Sequence, residues 1–314
     1  MKTSISYTLL AAAMACGLAH GQTTAFTTPV GYYNFNAAAG PNLAVPGFVN
    51  SASFAGKLVG AGAITLTVAT GSITAGAFNA AGGFATHYVE ITQAGSNQGV
   101  VIDIASNTNS IVTLASNITA LSLTGTETIT IRKHVTISTY HASAESLLSP
   151  FSDNVTIYNA NGSSDTYYFL GAGAWSSDFV NPDGSNRPIP PGTGVIFNTA
   201  ANVALTIVGE VKSSDVVVQL NGGGVINIVG PINPLVGSSA LIKDLGFATM
   251  SPFSDNITLY PPGDLVSSLG TWYALGDGTV STDFSTPSNA TFSFTQGAIF
   301  AAATDTAFKV KSGL

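Results

Sequence analysis

The sequence predicts an all-β protein: two related β-sandwich-like domains from a duplicated unit, the first carrying an inserted small β-domain. Three observations lead there. The chain is dense in short β-branched segments, one ten-residue stretch occurs twice, and two repeated modules recur at unequal distances. The segments "AITLTVAT", "HYVEITQ", "GVVIDIA", "SIVTLAS", "ETITIRKHVTIS", "NVTIYNA", "TYYFLG", "GVIFNTA", "VALTIVGEV" and "DVVVQL" are rich in Val, Ile and Thr, often alternate, and are divided by Gly, Asn, Pro and Ser turns, the pattern of half-buried strands. Only residues 142–148 and 239–245 read as short helices.

The stretch "SPFSDNVTIY" at 149–158 returns 102 residues later as "SPFSDNITLY", with eight of ten positions identical. The likeness continues from "TYYFLGAGAWSSDF" (166–179) to "TWYALGDGTVSTDF" (271–284) and from "GVIF" (194–197) to "GAIF" (297–300), defining a module A. A weaker module B joins "FNAAAGPNLAVP" (35–46) to "LNGGGVINIVGP" (220–231). Module B recurs after 185 residues and module A after 102, so the first copy holds 83 extra residues between its modules. Insertion at a surface loop is the tolerated route for such a guest. The domain plan is a signal peptide at 1–21, a first β-domain at 22–211 interrupted by an inserted small β-domain at 57–137, and a second β-domain at 212–314. Because the order is B, A, B, A, the last module A is expected to present an unmatched surface, to which the N-terminal segment of another copy could add a strand.

The opening "MKTSISYTLLAAAMACGLAHGQTTAF" has a charged Lys2, an apolar run over residues 9–18, and small Ala19 and Gly21 before a cut at Gln22, the plan of a secretory signal peptide. The one cysteine, Cys16, lies inside it, so disulfides, thiolate catalysis and Cys-type zinc sites are excluded from the mature chain. No later segment has eighteen uninterrupted apolar residues, so no transmembrane helix is expected there. An outer-membrane barrel would carry aromatic girdles, whereas these aromatics cluster locally. The expected location is secreted, at the cell surface or outside it, with the periplasm as the other compartment. Charged residues make up only 8% of the chain and the net charge is −7, without the basic footprint that nucleic acid requires.

Asp153-Asn154, Tyr158, Tyr167-Tyr168, Trp175, "IPPGTGVIF" (189–197), "GEV" (209–211), the Asn-aliphatic-x-x-Pro of module B and "THYVEIT…GVVIDI" together resemble a family of secreted bacterial β-rich proteins of unknown function. The likeness covers nearly the whole mature chain. One departure is "VGPINP" (229–234) where that family carries Gly-Asn-Pro-Tyr-Pro. The resemblance implies secretion and β-structure, and it carries over no catalytic residue.

A direct search for chemistry finds none. His87, His134 and His141 lack metal spacing, so no metal site is expected. Ser152-Asp153-Asn154 matches one β-lactamase motif, but its Ser-x-x-Lys and Lys-Thr-Gly companions are missing. Glu90, Asp103, Glu127, Glu145 and Glu210 are far apart, and only folding could pair two of them as in a glycosidase. No catalytic or cofactor-binding residue is assigned and no cofactor is expected. The repeated Asp153, Asn154, Asp255 and Asn256 read as a structural turn in which the Asp accepts backbone N–H bonds while Val155, Ile157 and Phe151 pack inward; calcium at the two Asp is the sharper alternative. Tyr167, Tyr168, Trp175, Trp272 and Tyr273 are candidate ligand-facing aromatics, with packing between sheets as the competing role. The chain therefore reads as a non-catalytic, secreted or cell-surface structural or adhesive β-protein capable of self-assembly. Its expected partners are itself, a surface polymer or a glycan. A carbohydrate-binding module is the alternative, and a secreted hydrolase the third reading.

Overall fold

The computed structural model describes residues 29–230, 232, 240–241, 250–288, 291–292, 297–310 and 312. The expected signal peptide lies outside them. The fold is all-β, as expected, with several sheets and one closed barrel.

In the first unit, β1 (Val30–Ala37) alternates strictly, turning Tyr33, Phe35 and Ala37 inward and Val30, Tyr32, Asn34 and Asn36 outward. It pairs along its full length with antiparallel β15 (Val203–Glu210). A five-stranded sheet shares the core of this ribbon, in the order β12 (Ala174–Ser176), β11 (Ser164–Gly171), β10 (Asn154–Tyr158), β14 (Val195–Thr199), β2 (Gly40–Ala44). Tyr33 and Phe35 from β1, Leu205 and Ile207 from β15, and Val155, Phe169 and Phe197 from the sheet belong to one buried cluster. Two short strands, β9 (Val135–Thr136) and β13 (Pro188–Ile189), pair at its margin. The helix expected at 142–148 is a 3-10 turn, Ala142–Leu147, preceded by helix α1 (Ile137–His141). Thr136 and Thr139 cap α1 reciprocally, which satisfies backbone donors at its start.

The second unit repeats this plan. A ribbon of β16 (Val216–Leu220) and β24 (Thr306–Val310) shares a core with a sheet ordered β21 (Val280–Ser281), β20 (Gly270–Ala274), β19 (Asn256–Leu259), β23 (Ala298–Ala301), β17 (Asn227–Val229). Register agrees as well as order: Val155 faces Tyr167 and Phe197, and Ile257 faces Trp272 and Phe300. β18 (Ala240–Leu241) pairs with β22 (Thr291–Phe292), so the helix expected at 239–245 is strand at both of its described residues. In both units module B pairs with the module A that follows it, through β2–β14 and β17–β23. The last module A is therefore covered, contrary to the expectation of an unmatched terminal surface.

The two units meet through a reciprocal exchange. The Gly194 N–H donates to the Ile228 carbonyl at 2.9 Å, and the Gly297 N–H donates to the Leu43 carbonyl at 3.3 Å. Each glycine stands just before an equivalent strand, and each carbonyl just after an equivalent asparagine, Asn227 or Asn42. A Cβ on Gly194 would come within 2.6 Å of the Ala44 carbonyl oxygen, so close backbone approach explains the glycine here. Asn42 and Asn227 are buried, and each amide donates to carbonyls of its own turn and of the facing strand, Phe197 or Phe300.

The inserted segment closes into a six-stranded barrel in the order β3 (Ala52–Ala61), β4 (Thr65–Val68), β7 (Ile111–Leu114), β6 (Val101–Asn107), β5 (His87–Ile91), β8 (Thr128–Lys133). Ile102 and Ile104, Val89 and Ile91, and Ile129 and Ile131 fill it at spacing two. The long β3 pairs with β8 through its first half and with β4 through its second, with register shifts on the way; such bulges bend a strand enough to close a small barrel. The barrel strands span 52–133 rather than 57–137. Ile137 begins α1 and is buried in the first unit's core.

Candidate functional site

Three places bring functional side chains together: an aromatic ridge on each unit, a buried charge cluster under the barrel, and a cleft between the bodies.

Each ridge grows from two turns. In Ser149-Pro150-Phe151-Ser152 the Ser152 N–H donates to the Ser149 carbonyl at 3.2 Å and Phe151 takes φ 64°. A turn with Pro second and a positive φ third normally places Gly or Asn in that third position. Ser251-Pro252-Phe253-Ser254 does the same, with Phe253 at φ 60°. Asp153 and Asp255 hold these turns from beneath. Both are buried; one Asp153 oxygen accepts the Ser149 N–H at 2.8 Å and the other the Ala200 N–H at 2.7 Å, and Asp255 takes Ser251 and Ala303 N–H groups at 2.7 Å each. Both carboxylate oxygens thus accept backbone donors, as the turn reading expects. Asn154 and Asn256 donate to the Ser152 and Ser254 carbonyls.

The second turn follows β12 in one unit and β21 in the other. Asp178 accepts the N–H groups of Val180 and Asn181, and Asp283 those of Ser285 and Thr286. The Asn181 and Val180 N–H groups hold Asp178 well below the usual carboxylate range; at Asp283 the Ser281 hydroxyl leads, followed by the Thr286 N–H. Between each Asp and its N–H donors sits another phenylalanine with positive φ, Phe179 at 65° and Phe284 at 63°. Phe179 lies against Tyr168 with centroids 4.3 Å apart and 6.5 Å from Phe151. Phe284 lies 4.3 Å from Tyr273 and 6.4 Å from Phe253. Phe151, Phe179, Phe253 and Phe284 are 58%, 46%, 56% and 48% exposed.

Of the five candidate aromatics, Tyr168 and Tyr273 join these ridges. Tyr167, Trp175 and Trp272 do not face a ligand: all three are buried in the cores. Adjacent residues of a strand point to opposite faces, so Tyr167 and Phe169 turn in while Tyr168 turns out. Phe151 was expected to pack inward and is exposed, because a positive φ at the third turn position swings its side chain off the core face. Val155 and Ile157 are buried as expected.

Under the barrel, Glu90 and Arg132 meet Glu210 and Lys212, which lie at and just past the end of β15, all four buried. Arg132 bonds Glu210 at 2.5 Å, lies 3.9 Å from Glu90 and donates to the Asn50 carbonyl at 2.7 Å. Lys212 pairs with Glu90 and donates to the Ser214 hydroxyl. Burial lowers the Lys212 ammonium, with Glu90 opposing it; burial also works against Arg132, but Glu210 keeps that guanidinium raised. Glu90 and Glu210 are thus brought together by folding, yet each is engaged by a buried cation, so the cluster ties strands rather than offering a free acid. His134 meets Asp103 at 2.9 Å, and His141 meets the Ile137 carbonyl at 2.7 Å among Tyr140, Trp175 and Phe197. Among the described residues no three or more His, Cys, Asp or Glu side chains come together in a group that could hold a metal ion.

The cleft, about 250 Å³, is lined by Asp103, Asn159, Arg187, Gln219 and Asn221 among others. Small-molecule sites usually run from about 300 Å³ upward. Arg187 is already engaged, donating to Asn159 at 2.6 Å and lying over the Phe84 ring. No family model, no curated protein and no solved structure matches this chain.

Proposed function

We propose that this chain is a non-catalytic, exported β-protein built from a duplicated unit, with a structural or adhesive role at the cell surface. Its working parts are the two aromatic ridges, which dock on apolar surface of a neighbouring protein or surface polymer. One observation carries this reading: both units hold the same Phe-Phe-Tyr group, in which two exposed phenylalanines in left-handed backbone flank a half-buried tyrosine. Each such residue costs about 1 kcal/mol or more, and exposed rings return little of that as burial. Strain kept at exposed positions fits a contact made with something outside the chain.

A sugar-stacking role needs an open ring face, and Tyr168 and Tyr273 each have one face against a phenylalanine, which favours the apolar contact. The experiment is adsorption to methyl-terminated gold, cellulose and chitin films on a quartz-crystal microbalance. The fourfold variant Phe151→Asn, Phe179→Asn, Phe253→Asn, Phe284→Asn is expected to bind the methyl film at least tenfold more weakly than the parent while melting within a few degrees of it. Undiminished adsorption defeats the proposal, and ridge-dependent binding to cellulose or chitin alone replaces it with the carbohydrate-binding reading.

A further inference from the structure

The ribbon of the second unit shows what the outer edge of this fold does. Strand β16 borders the barrel there: the Val217 N–H donates to the Gly99 carbonyl at 2.9 Å, and Val217 forms a parallel bridge with Val100. The barrel is thus attached to the second unit by a strand contact on the edge of β16 that faces away from β24.

Tyr32 is the counterpart of Val217 in the first unit. Val217 sits opposite Lys309 and precedes buried Val218; Tyr32 sits opposite Val208 and precedes buried Tyr33. The phase of the ladder places its backbone too. The Val211 N–H donates inward to the Pro29 carbonyl, while the N–H groups of Glu210 and Thr206 turn away from β1, to the Val49 carbonyl and the Ser143 hydroxyl. Their partners across the ladder, Val30 and Asn34, and by alternation Tyr32 and Asn36, therefore direct their own N–H and C=O groups away from β15. No described group bonds to that edge. Its outer face is apolar at the start of the strand, with Tyr32 68%, Val30 67% and Val208 64% exposed, and continues with the uncharged Asn34 and Asn36.

We infer that β1 is a docking edge and that its occupant is β1 of a second copy, antiparallel across a twofold axis. The two ribbons then join as one four-stranded sheet, β15–β1 followed by β1–β15 of the partner. The strand is suited to pairing with itself. Val30–Ala37 carries no charge and no proline, so neither like-charge repulsion nor a missing donor protects it, although exposed edges are usually guarded in those ways. A twofold brings Val30, Tyr32 and Val208 of each copy into one continuous apolar band, and an isologous contact of this kind closes at the dimer. This pairing does not depend on what the aromatic ridges bind.

The test is sedimentation velocity on the purified protein over a concentration series, for wild type, Tyr32→Lys and Tyr32→Pro. Wild type is expected to move from monomer to dimer. Tyr32→Lys places a charge on the edge, and Tyr32→Pro removes an N–H that β15 does not use; each is expected to weaken dimerisation at least tenfold with the melting profile retained. Ser143→Ala, on the far side of the ribbon, should leave the dimer intact. A wild type that stays monomeric to its solubility limit overturns the inference, as does a dimer that Tyr32→Lys leaves unchanged. Should Tyr32→Pro fail to fold, the lysine variant alone decides.

Discussion

Behind the aromatic ridge of the first unit stand Val155, Tyr167, Phe169 and Trp175; at the same register positions of the second stand Ile257, Trp272, Ala274 and Val280. On the solvent side Phe151, Tyr168 and Phe179 have as counterparts Phe253, Tyr273 and Phe284, residue for residue. These four buried positions behind the ridge differ, while the three on its solvent side agree. If stability alone set these residues, the reverse would be expected, since cores respond to single methylenes while most surface substitutions are nearly neutral. Core differences of this size can be absorbed by repacking within one unit. The agreement outside needs a cause outside.

The comparison can be broken most forcefully where the units are unlike. The buried quartet of Glu90, Arg132, Glu210 and Lys212 binds the barrel to the first unit, and no such quartet lies around β24 among the described residues. Lys212→Ala leaves Glu90 without its nearest cation and is expected to cost about 3–5 kcal/mol, read as an early transition in calorimetry that leaves a later one for the second unit. A single transition displaced as a whole would show that the three bodies melt together.

Where the units are alike, their responses should match. Asp153→Ala and Asp255→Ala each strand two backbone donors beside a buried site, at a cost of about 3 kcal/mol, and chemical denaturation should show losses equal within about 0.5 kcal/mol. A marked inequality would mean that the two turns carry different loads despite the same bonds.

Acid should separate the units again, because His141 belongs to the first alone. Burial lowers its imidazole to about 4, against about 6.5 in an unfolded chain. The unfolded state therefore takes the proton first: this contribution is whole above the unfolded value and is lost as pH falls from about 6.5 toward about 4. Between about pH 7 and pH 4.5 the loss amounts to about 2–3 kcal/mol, and His141→Gln is expected to remove most of it. Unfolding free energies at the two pH values check this.

The smallest effect is the most specific. Phe151→Asn and Phe253→Asn exchange a strained residue for one that tolerates positive φ and should each leave stability within about 1 kcal/mol of wild type. Losses comparable to truncation of a buried aromatic, about 3–5 kcal/mol, would make these rings packing residues and remove the contrast between core and surface.

Much of the fold was legible because strands announce themselves by composition and alternation, and because unequal module spacing located the extra segment between the first modules B and A. What sequence could not supply was phase. "TYYF" shows that one tyrosine faces in and one out, but which is which depends on where the core lies, and large aromatics drew attention to Tyr167, Trp175 and Trp272. The phenylalanines of the ridge were hidden differently. A Pro-Phe-Ser run looks like a turn with an inward ring until the backbone goes left-handed, though its recurrence at both Pro150 and Pro252 was a usable signal. The charge quartet joins residues from position 90 to position 212, and only the scarcity of charge in the chain hinted that such groups would be placed with purpose.

The way the barrel enters and leaves has a consequence for how the chain finds its fold. Ala52, where the barrel begins, lies opposite Arg132, almost where it ends. Before the barrel forms, β2 and its partner β14 are separated by about 150 residues of chain, a distant closure of the kind that slows folding. Once β3 and β8 pair, the whole insertion counts as a short link, and the entropy of bringing β2 back to the first unit falls accordingly. The guest thus acts as a clasp on its host. Amide exchange during refolding should find β3 and β8 protected before β1 and β15, whose partnership has to wait until that clasp is shut.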